Sequence, residues 1–375
     1  MNIILAPDSY KGSLSALEAA KTMKRAITDI DNGHLISMKP MADGGEGTMD
    51  AMLASSRGRK VVIQCAGATG EKIESYYAML DSHTAVIELA AIAGLVQVPK
   101  KKRNPDYTTT FGIGEAILHA LNRGCTSIII GLGGSATNDG GLGMLQALGV
   151  KAWDERGNEL GGFGNDLQQV SRISFTDVDP RVYQVEMKVA CDVDNPLCGN
   201  RGASVVFGPQ KGASVDQIPV YDKALDHYGN LVEAEVGKSL KKVPGAGAAG
   251  GTGFAFLSIG AELVSGAELM AKAMKLEDDI KQADLVFTGE GQSDEQTMYG
   301  KAPGYVAQLA KKYKVPVILL SGSLTGDIEK LQDRFSGCFS IINKPLTLEE
   351  CIEHAQDLLY GQTKQIMYLM ESLKK

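Results

Sequence analysis

Short apolar runs alternate with helical patterns along most of this chain. Asn2–Ala6 (NIILA) predicts a first buried strand. Ser15–Ile27 follows with helical spacing, since Leu17, Ala20, Met23, Ala26 and Ile27 share one face. Leu35–Met38 predicts a second strand, and "ADGGEGTMDAML" reads as a glycine turn running into a helix. Ser127–Gly131 predicts another strand, with a short helix in "LGMLQALG" after it. Toward the C-terminus, "ADLVFTGEG", "VPVILLSGS" and "CFSIIN" predict three further strand-plus-loop units with helices between them. Strand, loop and helix in repetition predict a parallel sheet with helices on both faces.

The middle of the chain has a different rhythm. From Val61 to Leu89 the pattern predicts strands joined by Gly and Asp turns. Met187–Asp192 (MKVACD) and Ser204–Gly208 (SVVFG) predict short strands without an obvious helix partner. A length of 375 residues is long for one core. The expectation is therefore an α/β protein of two domains. Residues 1–60 plus 281–375 form a Rossmann-like domain with a mainly parallel sheet. Residues 61–280 form a smaller, mixed α+β domain, and 109–150 fits either.

Composition narrows the function classes. The net charge is −7, and the one basic run, Lys100–Arg103, is four residues long and ends at Asn104-Pro105. That pattern is a solvated loop and argues against nucleic-acid binding. Six cysteines without a C-x-x-C pair suit reduced thiols in the cytoplasm. Five scattered histidines give no zinc pattern. The start, "MNIILAPDSYKGS", lacks the basic region of a signal peptide. No stretch approaches the ~20 apolar residues that span a bilayer, so no membrane partner is expected.

Glycine, at 44 residues, is the outlier, and it is clustered. "APDSYKGS", "ADGGEGT", "GLGGSATNDGG" and "FTGEGQSDEQT" each follow a predicted strand, where ligands bind in doubly wound sheets. Bare backbone lets N–H groups approach phosphate oxygens. Gly131–Ala136 also satisfies the dinucleotide pattern G-x-G-x-x-A, with Asp154 some twenty residues on; Gly245–Gly250 repeats the pattern without a strand before it. A Walker A loop is absent. Phosphoryl transfer needs cations, carboxylates for Mg²⁺ and a group that orients the attacking hydroxyl. Asp8, Asp43, Asp192, Glu290 and Asp294 sit at predicted strand ends. Lys11, Lys211 and Lys301 neighbour glycines. Arg103 and Arg201 suit a substrate carboxylate. Asp192, directly after Val-Ala-Cys, is expected to be half-buried. Asn138 and Asp139 also fit plain helix caps.

Taken together, these motifs resemble the glycerate kinase family of the bacterial type. The resemblance rests on "APDSYKGSLSA" (6–16), "ADGGEGT" (42–48), "NPDYTTTFGIGE" (104–115), "GLGGSATNDGG" (131–141), "ACDVDNPLCG" (190–199), "VFGPQKGA" (206–213), "PGAGAAGGTG" (244–253) and the run from Thr288 to Pro303. Tyr10 stands where Phe is common, and Gln292 where Arg is frequent. The resemblance implies ATP-dependent, Mg²⁺-assisted phosphorylation of D-glycerate, with 2-phosphoglycerate as the usual product. It also implies an active site in the cleft between two α/β domains. Carried onto this chain, Asp192 would orient or deprotonate the substrate hydroxyl and Lys11 would neutralise the transferring phosphate. Asp8 and Asp43, with Arg201 or Arg103, would bind glycerate. Gly133, Gly134, Ser135, Lys211, Gly291 and Lys301 would hold ATP, and Asp294 and Glu290 the metal. The rival readings are a glycerate 3-kinase, an NAD-dependent hydroxy-acid dehydrogenase using Gly131–Ala136, and a non-catalytic sugar-acid sensor.

Overall fold

Two sheets carry the fold. In a computed structural model that describes residues 1–42, 44–45, 47–56, 58–298 and 301–373, their strands are, in chain order, β1 (Asn2–Leu5), β2 (Leu35–Met38), β3 (Arg59–Ala66), β4 (Lys72–Met79), β5 (Thr84–Glu88), β6 (Ser127–Gly131), β7 (Glu186–Ala190), β8 (Glu262–Val264), β9 (Leu285–Thr288), β10 (Val317–Ser321) and β11 (Gly337–Ser340). The chain divides into two units. One holds Met1–Asp43, Asp50–Ser56 and Gly266–Lys375; the other holds Gly44–Met49 and Arg57–Ser265.

The sheet of the first unit runs β11-β10-β9-β1-β2, and every neighbouring pair is parallel. β9 (LVFT) and β10 (VILLS) are buried along their whole length. Such unbroken apolar runs arise where helices cover both faces of a sheet. Ile3, Leu5, Phe287 and Leu320 share one core with Met23 of the helix Ala16–Thr28 and Leu359 of the helix Ala355–Leu373. The helix Ala302–Lys312 packs against β9 and β10. Ser15 caps Ala16–Thr28 reciprocally with Glu18, which fixes where the Asp8–Leu14 loop ends.

The sheet of the second unit runs β8-β7-β6-β5-β4-β3. Its β8-to-β5 part is parallel, and β4 and β3 add as an antiparallel hairpin. β3 alternates exposed and buried positions, as a strand with one solvated face does. This unit is therefore half a doubly wound sheet and half a meander, and that mixture is why its sequence rhythm is irregular.

Several expectations need correction. The second unit is the larger of the two, not the smaller. Residues 109–150 lie within it, because β6 is hydrogen-bonded between β5 and β7. The helices Gly266–Ala273 and Leu276–Ile280 belong to the first unit, where they pack with Ala302–Lys312. Gly44–Met49 joins the second unit, although the chain on either side belongs to the first. Ser204–Gly208 is not a strand. Ala203–Phe207 is a helix that buries Ala203 and Ser204 and turns Val205 and Val206 outward. Packing there overrides the β-preference of two valines. Among the described residues, no helix is long and apolar enough to cross a membrane.

Candidate active site

In the first unit, the loops leaving β1 and β9 come together at the carboxyl edge of the sheet. Asp8 is 7% exposed; its N–H donates to the Gly289 carbonyl at 2.8 Å, and its Oδ1 accepts the Ser9 N–H at 2.6 Å. Lys11 is exposed on the same loop, and Gly291 lies against the Tyr10–Lys11 backbone. Tyr10 is buried behind it, its hydroxyl donating to the Leu320 carbonyl at 2.7 Å. Burial, and then the neighbouring Glu290 carboxylate, hold the Tyr10 pKa above its ordinary value.

Glu290 is 8% exposed and well engaged. Its Oε1 accepts the Ser293 and Thr297 hydroxyls at 3.0 and 2.7 Å, and its Oε2 lies 3.4 Å from Lys301 Nζ. Asp294 is half-buried, and its N–H donates to Thr297 Oγ1 at 3.1 Å. Asp8, Lys11, Glu290, Gly291, Asp294 and Lys301 thus occupy adjoining loops, while Asp43 lies outside the described residues. Among the described residues these acids do not form a three-ligand cluster. The group that does, Asp31, His34 and Glu371, lies at the amino edge of the sheet, just before β2. Mg²⁺ asks for only one or two carboxylates and completes its shell with phosphate and water oxygens. The hard oxygen donors Asp8 and Asp294 fit that demand. Glu290, ringed by two hydroxyls and an ammonium, is better suited to holding Lys301.

In the second unit, β5, β6 and β7 end side by side, with Glu88 opposite Gly131 and Gly131 opposite Ala190. The Gly44–Gly45 backbone crosses these ends. Gly133 N–H donates to the Gly44 carbonyl at 3.2 Å. A Cβ on Gly133 would lie 2.3 Å from Gly45 Cα. A Cβ on Gly44, whose φ is +82°, would lie 2.5 Å from Ala190 Cβ. Contact between two backbones therefore demands glycine at both positions.

Of residues 131–143, only Gly133 and Gly134 escape full burial. The rest of the loop is scaffold. Asp139 Oδ2 accepts the Thr110 N–H and hydroxyl at 2.7 and 2.6 Å and the Gly143 N–H at 3.3 Å; Oδ1 accepts the Gly141 N–H at 3.2 Å. One buried carboxylate thereby serves the starts of two helices, Phe111–Asn122 and Leu142–Ala147. Burial pushes its pKa up, and these hydrogen bonds oppose the shift. Ser135 is buried, and its hydroxyl is shared with Thr137 inside the loop.

Lys211, expected to reach a phosphate, is 2% exposed. Its Nζ donates to the Thr137 carbonyl at 2.6 Å, beneath the loop. Burial pulls its pKa down to about 7, against the pull of Asp139. Arg103 likewise holds backbone: its guanidinium donates to the carbonyls of Leu95, Val98 and Gln210 at 2.9, 3.2 and 3.5 Å. Arg201 is exposed and paired with Asp194 at 2.6 Å. Asp192 is exposed rather than half-buried, because β7 ends at Ala190 and the chain leaves the sheet before it.

The dinucleotide patterns lack their structural context. The helix after Gly131–Ala136 begins only at Leu142, and Asp154 closes an exposed turn through Asn158. Gly245–Gly250 follows no strand, and the Gly250 carbonyl accepts the Gly140 N–H at 3.0 Å, behind the loop. Sequence reading missed Glu88, 6% exposed at the end of β5, whose carboxylate accepts the Met49 N–H. The signal was present as the lone acid in "AVIELAAIA".

Residues 3–371 match the glycerate kinase family. The chain is 46% identical over 369 residues to the glycerate 2-kinase of Escherichia coli, covering 98% of this chain and 97% of that protein. It is 44% identical over 369 residues to a Bacillus subtilis glycerate kinase, with the same coverage. A crystal structure from Salmonella typhimurium LT2, of a chain assigned as glycerate kinase 2, superposes with a TM-score of 0.89 at 42% identity, covering 100% of this chain and 99% of that one.

Proposed function

The chain belongs to the glycerate kinase family, and we propose that it transfers the γ-phosphoryl group of ATP to the C2 hydroxyl of D-glycerate, forming 2-phosphoglycerate and ADP. The observation that carries this reading is the position of the motif loops. They are scattered over the whole sequence, yet those with Asp8, Lys11, Glu290, Gly133 and Asp192 all follow the carboxyl ends of parallel strands. Phosphoryl transfer depends on position and charge, and such edges supply both.

The roles follow from exposure and partners. Asp192, exposed beyond β7, orients the C2 hydroxyl and takes its proton as the phosphorus–oxygen bond forms. Lys11 neutralises charge on the transferring group. The backbone N–H groups of Gly134 and Gly291 face phosphate oxygens, while that of Gly133 holds the Gly44 carbonyl. Lys301, steadied by Glu290, adds a second cation. Arg201 exchanges Asp194 for the substrate carboxylate. Asp8 and Asp294 would hold Mg²⁺, which when bound neutralises charge on the β- and γ-phosphate oxygens. Ser135, Lys211 and Arg103 act only through the loops they hold. All six cysteines are free thiols, which suits a cytoplasmic enzyme.

The test is a ³¹P NMR spectrum of the protein with Mg-ATP and D-glycerate. A new phosphomonoester resonance should grow as ADP appears, split into a doublet by the single C2 proton. A triplet from the C3 methylene would move the reaction to C3. No new resonance, with the protein folded and ATP intact, would sink the reading.

A further inference from the structure

Gly44–Met49 is a short stretch that joins the second unit while the chain before and after it belongs to the first. Something must hold it there, because glycines lose more freedom on ordering than any other residue. Gly45 and Gly47 are half-exposed, and nothing lies within 4 Å of where a Cβ on Gly47 would be. Close packing presses Gly44 and Gly45 onto Ala190 and Gly133. Two hydrogen bonds pin the ends: Gly133 N–H to the Gly44 carbonyl, and Met49 N–H to the Glu88 carboxylate. Thr48 closes the turn between them through its hydroxyl on the Gly45 carbonyl, at 2.8 Å.

Glu88 is otherwise an odd residue for its place. It ends a strand whose preceding residues, Ala85, Val86 and Ile87, are wholly buried, and it is nearly buried itself. A carboxylate there costs free energy unless donors satisfy it. The Met49 N–H is one such donor, and a charged acceptor makes that bond stronger than a neutral one.

We propose that Glu88 is a positioning residue for phosphoryl transfer: through the Met49 N–H it anchors this glycine segment at the ends of β6 and β7, so that its half-exposed backbone and the N–H of Gly134 border the place of an anionic substrate group. The inference rests on the kinase reading for its consequence, but not for its structural part. Glu88 touches no substrate; it acts through the loop. The anion is a phosphate of the nucleotide or the carboxylate of glycerate, since both present oxygens of the kind backbone N–H groups bind.

Two variants and two readouts test it. Glu88→Ala removes the acceptor; Glu88→Gln keeps an amide oxygen in the same place without the charge. Hydrogen exchange, read by mass spectrometry on the peptide spanning 44–49, reports the anchor without any assay of turnover. Glu88→Ala should speed exchange there by ~10-fold or more and lower kcat/KM by ~10²-fold, with the midpoint of thermal unfolding little changed. Glu88→Gln should restore most of both. A raised KM for Mg-ATP identifies phosphate as the anion, and a raised KM for D-glycerate identifies the carboxylate. Exchange unchanged in Glu88→Ala overturns the anchor. Faster exchange with unaltered kcat/KM overturns its catalytic relevance. Glu88→Gln as impaired as Glu88→Ala, with the loop still protected, shows that the charge itself meets substrate. If the wild-type protein leaves D-glycerate untouched, the kinase reading fails, and the exchange result still decides the anchor.

Discussion

Asp139 and Asp192 follow neighbouring strands of one sheet, β6 and β7, and put the same functional group to opposite uses. Asp139 is wholly buried and accepts four hydrogen bonds from Thr110, Gly141 and Gly143. Asp192 stands in solvent, past the last paired residue of its strand. A burdened, buried acid is a familiar mark of a catalytic group. Here the buried acid is the scaffold, and the exposed one is the candidate for chemistry. Burial marks function only where the donors around the acid are too few to satisfy it. Asp139 has its donors, all supplied by helix starts that would otherwise be short of acceptors.

The largest effect should come from the exposed acid. Asp192→Asn is expected to lower kcat by ~10²–10⁴-fold and to leave the unfolding midpoint where it was. Turnover near normal would end its role as base. The buried acid should behave in reverse. Asp139→Ala strands three backbone N–H groups and leaves Lys211 without its nearby negative charge. It should destabilise the protein by ~3 kcal/mol, seen as a fall of roughly 6–12 °C in the midpoint, while the folded fraction keeps its turnover. Lost turnover at an intact midpoint would erase the contrast between the two acids.

Lys211 sharpens the comparison through pH. Its folded pKa, about 7, lies below the ordinary 10.5. Between those values the unfolded chain binds more protons than the folded one, so stability rises with pH across the window. The full cost of burying the cation is present below pH ~7. Lys211→Met should flatten that rise, whose slope is at most ~1.4 kcal/mol per pH unit. Urea unfolding at several pH values from 6.5 to 9.5 reads it; equal slopes in both proteins would refute the assignment. The smallest effect belongs to Arg201. Its pair with Asp194 is exposed and screened by solvent, so Arg201→Ala should leave the unfolding midpoint nearly unchanged. If Arg201 grips the substrate carboxylate, KM for D-glycerate should still rise by ~10-fold, a loss of about 1.4 kcal/mol.

Much of the fold was legible because apolar period and glycine punctuation act locally. β1, β2, β6, β9 and β10 stand where their apolar runs are. Ala203–Phe207 was misread because two adjacent valines look like a strand until their neighbours are known. The unit boundaries were misjudged where short segments changed sides, as Gly44–Met49 and Gly266–Ile280 do. No local pattern reports which core a helix will join.

The candidate site divides along the same line. Sequence by itself determined the residue types, the glycine loops after strands and the family to which they belong, because those depend on order along the chain. Tertiary structure decided the burial and surroundings of each group. It turned Lys211 and Arg103 inward onto carbonyls, left Asp192 outside, and closed Asp139 beneath two helices. Exposure and hydrogen-bond partners come from residues far apart in the chain, such as Thr110 with Asp139 and Met49 with Glu88. A linear pattern carries no record of those distances until the chain has folded.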